Sequence, residues 1–153
     1  MRDYPKDINY YILVGGPEHL ESFEKHIYSD PSHEWYWTLL KQAKIGDIAF
    51  IYLTAPVSRI VGQLEVIGEP FYNVNRFENP KTKNKWMAEV GKDVYFFERR
   101  ELTMKGLREL FHDWNWLFYP RGNTKIPSHI VEPFLELISD TDAEWIETEP
   151  QAA

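Results

Sequence analysis

The chain has 153 residues, 43% of them hydrophobic and 16% aromatic, which implies one domain built around one substantial core. It contains no cysteine, so disulfides, a thiolate nucleophile and a zinc–cysteine site are excluded. No run of about 18 apolar residues marks a membrane helix, and residues 2–7 lack a signal peptide's apolar stretch, so a cytoplasmic protein with no membrane partner is expected.

The net charge of −7 argues against nucleic acid only if it is evenly spread. It is not. Residues 140–153 carry five acids (Asp140, Asp142, Glu144, Glu147, Glu149) and no Lys or Arg. Residues 76–108 hold nine Lys and Arg against five Asp and Glu. A local basic strip is what phosphate contact requires.

In chain order, Tyr10-Tyr11-Ile12-Leu13-Val14 is apolar, aromatic and β-branched, and reads as a buried strand ended by Gly15-Gly16. Pro17 suits a first helical turn, Glu18 and Glu21 suit a helix N-terminus, and Leu20, Phe23 and Ile27 follow at helical spacing. Residues 33–43 are read as a second short helix, with Trp37 and Leu40 on its core face. Gly46-Asp47 then turns the chain into the apolar strand 48–53, and residues 59–69 return beside it. Residues 73–85 are polar, interrupted by Pro80, and read as a long exposed loop. A strand is expected over 86–98, with Gly91 as a bulge or turn. Thr103 is a good N-cap for a helix through Leu107, Leu110 and Phe111. Residues 113–124 are aromatic and irregular. Pro127 opens a closing helix whose apolar face is Ile130, Val131, Phe134, Leu135 and Ile138. The acidic residues 140–153 read as a disordered tail. The fold class is α+β, with a strongly curved sheet or small barrel and peripheral helices.

Several segments in this order resemble the EVE family of the PUA-like superfamily, related to ASCH and YTH domains. They are Tyr10-Tyr11-Ile12-Leu13-Val14 with Pro17-Glu18, Ile45-Gly46-Asp47 with residues 48–52, and Ile60-Val61-Gly62 with Glu65-Val66. The lysine-rich loop Pro80-Lys81-Thr82-Lys83-Asn84-Lys85 ahead of Trp86-Met87 and the segment Leu117-Phe118-Tyr119-Pro120-Arg121 complete the set. The resemblance spans residues 8–139 and implies a PUA-like barrel holding a pocket for a nucleobase, often a modified one, in DNA or RNA. It implies binding with no chemistry and no cofactor. Two segments depart from the family pattern. Val14-Gly15-Gly16-Pro17 stands where EVE domains have Lys-Ser-Glu-Pro, and residues 33–37 replace a Gly-Val-Arg-Asn type segment, so aromatics take the place of polar pocket groups.

The candidate ligand residues follow. Trp35 or Tyr36 would face the pocket while Trp37 packs in the core, and base stacking on an aromatic is worth roughly 1–3 kcal/mol. Trp86, which aligns with a tryptophan of EVE sequences, is the leading pocket residue. Arg121 and Asn123 would read a base edge, since Arg makes bidentate contacts and Asn matches amide-like edges. Ser32 and Gly15-Gly16 could bring N–H groups to a ligand, although turn chemistry explains them equally well. Lys81, Lys83, Lys85, Arg99 and Arg100 would track phosphates. Each of these residues could equally be ordinary core or surface.

Catalysis finds little support. His19, His26, His33, His112 and His129 are scattered, and no zincin, Walker or dinucleotide fingerprint is present. The expectation is therefore a non-catalytic nucleic-acid-binding module with an aromatic cage. A sensor of a free nucleobase, nucleotide or other small aromatic metabolite, and a protein-interaction module, are the alternatives.

Overall fold

The computed structural model describes residues 4–120 and 122–146. Eight strands form one mixed sheet: β1 (Tyr10–Gly15), β2 (Trp35–Thr38), β3 (Ile48–Leu53), β4 (Arg59–Val66), β5 (Phe71–Asn73), β6 (Lys85–Phe96), β7 (Thr124–Lys125) and β8 (Ala143–Trp145). The main path runs β2-β6-β4-β3-β1-β7, and β5 and β8 attach to β6. Helices α1 (Leu20–Glu24), α2 (Met104–Leu110) and α3 (Ser128–Ser139) lie outside the sheet.

β1 and β3 pair in parallel, and both read as unbroken apolar runs because both faces of the sheet are covered here. Alternation splits them between two cores. Tyr10, Ile12, Ile48 and Phe50 meet α2, α3 and Trp114 on one face. Tyr11, Leu13, Ala49 and Ile51 meet Phe23, Tyr28 and Trp37 on the other. Register shifts within β3–β4 and β4–β6 help the sheet to curl.

The turn before β3 locks this pairing. Gly46 has φ +95°, a left-handed conformation that other residues adopt at a cost, and its N–H donates to Val66 O at 2.8 Å. The buried Asp47 carboxylate accepts from Asn9 N–H at 3.2 Å and from Lys44 N–H at 2.9 Å. It thereby ties the entry of β1 to the entry of β3.

Residues 35–38 form a strand where a helix over 33–43 was expected. The segment is aromatic with β-branched Thr38, and as a strand it sends successive side chains to opposite faces. Trp35 and Trp37 turn to one face, and Tyr36 to the other. Trp37 is core, 6% exposed, as its apolar character suggested. The tail reading also needs correction for residues 143–145, which pair antiparallel with Val94–Phe96 as β8. Alternation there is too short to stand out from an acidic background. Residues 147–153 lie outside the described residues.

β2 and β8 occupy the same edge of β6, since Val90 and Val94 each pair with β4 on their other side. Between them the ladder is interrupted at Gly91–Asp93, with Lys92 at φ +53°. Ser29, in the helical turn Ile27–Ser29, fills the gap by accepting from Asp93 N–H at 3.0 Å. Thr103 caps α2 as expected, its Oγ1 accepting from Gly106 N–H at 3.0 Å.

Candidate functional site

A cavity of about 490 Å³ opens where the ends of β1 and β2 meet the start of β6. Its walls are Val14, residues 38–40, Lys85, Trp86, Gly122 and Asn123. Strand geometry brings these distant segments together. β2 ends at Thr38, after which Leu39 N–H donates to Trp86 O at 2.9 Å and so fixes residues 39–40 beside β6.

Asn123 holds the far wall. Its Oδ1 accepts from Val14 N–H at 2.9 Å and its Nδ2 donates to Thr38 O at 3.1 Å, clamping β1 to β2 across the cavity. Trp116 Nε1 donates to Gly122 O at 2.8 Å and steadies the approach to this residue. On the inner side, Gly15 allows Trp37 to lie against the end of β1, because a Cβ there would come within 2.7 Å of the indole.

Trp86 is the half-buried aromatic of the wall. The Lys41 ammonium lies 5.7 Å from its ring centroid, within cation–π range. Tyr72, its direct cross-strand partner, stands edge-on with ring centroids 5.8 Å apart. Among the described residues, the wall contains one charged residue, Lys85, and no carboxylate. Nearby, His19 packs on Trp37 at 4.8 Å and its Nδ1 lies 3.1 Å from Tyr28 Oη. Burial holds the His19 imidazole below its ordinary value, Glu18 opposes this, and Lys81 adds to it. Lys81 therefore stands on this side of the molecule.

Three of the residues singled out in the sequence converge here: Trp86, Asn123 and Lys85. Others do not. Trp35 packs edge-on against Tyr28 at 5.6 Å and lies away from the cavity. Tyr36 turns to the opposite sheet face, because neighbours in a strand alternate. There its hydroxyl donates to Glu34 at 2.6 Å and accepts from Arg76 at 2.8 Å, and its ring meets Phe77 at 4.9 Å. Ser32 donates to Asp30 Oδ1 at 2.7 Å in an exposed turn.

Lys81 and Lys83 project from the exposed loop that leads into β6. Arg99 and Arg100 are not part of the same strip. The rest of β6 after Lys85, residues 86–96, separates them from it, a contour of roughly 35 Å at about 3.3 Å per residue. Arg99 pairs with Glu101 at 2.5 Å and Arg100 with Glu109 at 3.3 Å. Arg121 lies outside the described residues. Sequence reasoning missed Lys41, Leu39, Leu40 and Tyr72. Reading residues 35–38 as a strand would have placed 39–41 at the sheet's end, beside Trp86.

A larger groove of about 900 Å³ runs between residues 4–10 and α3. Its rim mixes Lys6 and Lys125 with Glu132 and Glu136, and its two tyrosines, Tyr4 and Tyr10, pack against each other at 6.1 Å. It offers neither a free aromatic face nor a single sign of charge, so the smaller cavity is the better candidate for a flat anionic ligand.

No family model matches the chain, and no curated protein matches it. Solved structures do. Rpa0253 from Rhodopseudomonas palustris superposes with a TM-score of 0.63 at 14% identity, covering 85% of this chain and 92% of that one. A mutant ASCH protein from Zymomonas mobilis gives 0.60 at 12% identity, covering 87% and 99%. The Pho92 YTH domain, in complex with m6A, gives 0.54 at 15% identity, covering 93% and 92%. At these identities the likeness establishes the fold, a small α+β PUA-like domain, as the sequence suggested.

Proposed function

We propose that this domain binds nucleic acid and holds one nucleobase, plain or modified, in the cavity beside Trp86. One observation carries the reading: a half-buried tryptophan forms the wall of a cavity with no carboxylate among the described residues, and a lysine ammonium already sits on the indole. The volume of about 490 Å³ falls within the range of small-ligand sites. That a similarly folded YTH domain is in complex with m6A supports a base as the occupant. The finer assignment, an EVE-type member that binds without catalysis, rests on the resemblance carried by the order of segments in the sequence.

The role of each residue differs from the sequence-level expectation. Trp86 stacks on the base. Asn123 acts through the backbone clamp, because both ends of its amide are engaged. Lys41, Lys81, Lys83 and Lys85 supply the positive rim.

Fluorescence anisotropy with labelled single-stranded 9-nucleotide RNA and DNA, with adenine or m6A at the centre, tests this. Trp86→Ala should weaken binding about tenfold or more, from the loss of roughly 1–3 kcal/mol of stacking. Four rim lysines predict a log–log salt slope of about −3 for a single strand. Unchanged affinity in Trp86→Ala would refute the base pocket. The net charge of −7 favours a second reading, a sensor of a free nucleoside or small aromatic metabolite. Binding of free nucleosides as tight as that of the oligonucleotides, with no salt slope, would select it.

A further inference from the structure

Tyr72 is the exposed aromatic next to the cavity that the pocket itself does not use. It is 47% exposed, faces the same side of the β5–β6 ladder as Trp86, and stands with its ring at 67° to the indole. Its neighbours in β5 turn the other way and are engaged. Phe71 packs on Tyr36 and Phe77 with the Arg76 guanidinium 4.7 Å from its ring.

Asn73 is fully buried. Its Nδ2 donates to Phe77 O and Thr82 O at 3.0 Å each, and its Oδ1 accepts from Phe77 N–H at 2.9 Å. Three bonds from one side chain thus shape the loop that carries Lys81 and Lys83. Asn84, at φ +59°, closes it with its N–H on Asn73 O at 2.6 Å. The β5–β6 hairpin is therefore an ordered arm that presents two aromatic rings on one face and lysines at its tip. Ordering it in advance removes an entropy cost that a loose loop would incur on binding.

We infer that Tyr72 is a second stacking position, which takes the base adjacent to the one held beside Trp86, with Lys41 set against the phosphate between them. The inference rests on the pocket reading and deepens it: the ligand is a single strand of at least two nucleotides, unstacked and splayed over two rings. Two observations favour this occupant. Tyr72 and Trp86 share one face of the β5–β6 ladder with ring centroids 5.8 Å apart, so the two rings stand as adjacent platforms. Cations also stand at the two rings: the Lys41 ammonium lies 5.7 Å from the indole centroid, and Lys85 lines the cavity wall. A duplex cannot present two unstacked faces in this way.

The test compares wild type, Tyr72→Ala, Tyr72→Phe and Trp86→Ala. The probes are the m6A-centred 9-nucleotide RNA, its unmodified twin, the same RNAs annealed to a complement, and free m6A and adenosine nucleosides. Tyr72→Ala should lose about tenfold in affinity for the single strand while its nucleoside affinity stays within twofold. Tyr72→Phe should keep both, since the ring remains. Duplexes should bind at least tenfold more weakly than single strands. Equal single-strand affinity for wild type and Tyr72→Ala, with Trp86→Ala impaired, would overturn the second position and leave the pocket standing. Equal loss of nucleoside and oligonucleotide binding in Tyr72→Ala would also overturn it, by making Tyr72 part of the pocket. Absence of any oligonucleotide binding by the wild type would remove both.

Discussion

Asp93→Asn should stabilise this protein at neutral pH. Asp93 is 2% exposed, and its two oxygens have different surroundings. Oδ1 accepts a short hydrogen bond from Ser29 Oγ. Oδ2 faces His26 Nδ1 at 3.7 Å, too far for a hydrogen bond, and neither atom has another partner among the described residues. His26 is itself buried, at φ +53°, with Nε2 3.1 Å from Glu144 Oε1 on β8. Burial raises the Asp93 carboxyl above its ordinary value of 3.8, against the opposing influence of Ser29 and His26.

A carboxyl raised on folding contributes stability that is fully present below its unfolded value and lost as pH rises through its folded value. At pH 7, far above the ordinary value, the wild type therefore carries a cost that is absent at low pH. Asparagine keeps the acceptor for Ser29 and places an N–H donor opposite His26 Nδ1. Each orphaned buried atom costs about 1–3 kcal/mol. Allowing for the 3.7 Å gap that must close, the expected gain is about 1 kcal/mol, or roughly 2–4 °C in Tm for a domain of this size. Urea and thermal unfolding of both proteins between pH 4 and 8 would measure it. The gain should be largest at pH 7 and should shrink as pH falls toward 4. A variant at least 1 kcal/mol less stable than wild type at pH 7 would show that the Asp93 anion stabilises the fold, and the argument would fail.

Asn123→Ala removes the clamp between Val14 N–H and Thr38 O and should cost about 1–3 kcal/mol by urea denaturation. Because the clamp shapes the cavity, nucleoside affinity should fall in the same variant. Gly46→Ala forces a β-carbon into φ +95° and should cost about 1–2 kcal/mol in Tm-derived stability, although nothing lies within 4 Å to clash with it.

How much of this was legible in the sequence depended on which period a segment displayed. β1 and β3 were clear because burial on both faces leaves an unbroken apolar run, and α3 was clear because Ile130, Phe134 and Ile138 recur at helical spacing. Residues 33–43 were misread because three consecutive aromatics hide whether the period is two or 3.6. That single error placed Trp35 and Tyr36 in the expected cage and left Leu40 and Lys41 away from the cavity beside Trp86. Trp86 was singled out because it follows a lysine-rich loop and aligns with a tryptophan of EVE sequences, and it lines the cavity. Tyr72 was not, because a three-residue strand has no period to read. Its pairing with Trp86 exists only in the register of β5 against β6.

The charge followed the same logic. Counting along residues 76–108 combined bases that the fold separates. β6 carries the chain from Lys85 across the sheet, so Lys81, Lys83 and Lys85 sit at one end with Lys41, and Arg99 and Arg100 sit at the other with Glu101 and Glu109. The acids of the C-terminal region follow the arginines. Glu144 lies on β8, which pairs with the last residues of β6, and Glu132 and Glu136 lie on α3 beside the other groove. A net charge of −7 thus coexists with lysines at the cavity, because β6 carries Arg99 and Arg100 with their partners Glu101 and Glu109 away from it. The field a ligand meets at short range is that of the mouth, since at physiological salt charges farther than about 8 Å are largely screened. Whole-chain acidity and binding of a phosphate-bearing strand are therefore compatible here, and the lysine end is the end that must meet it.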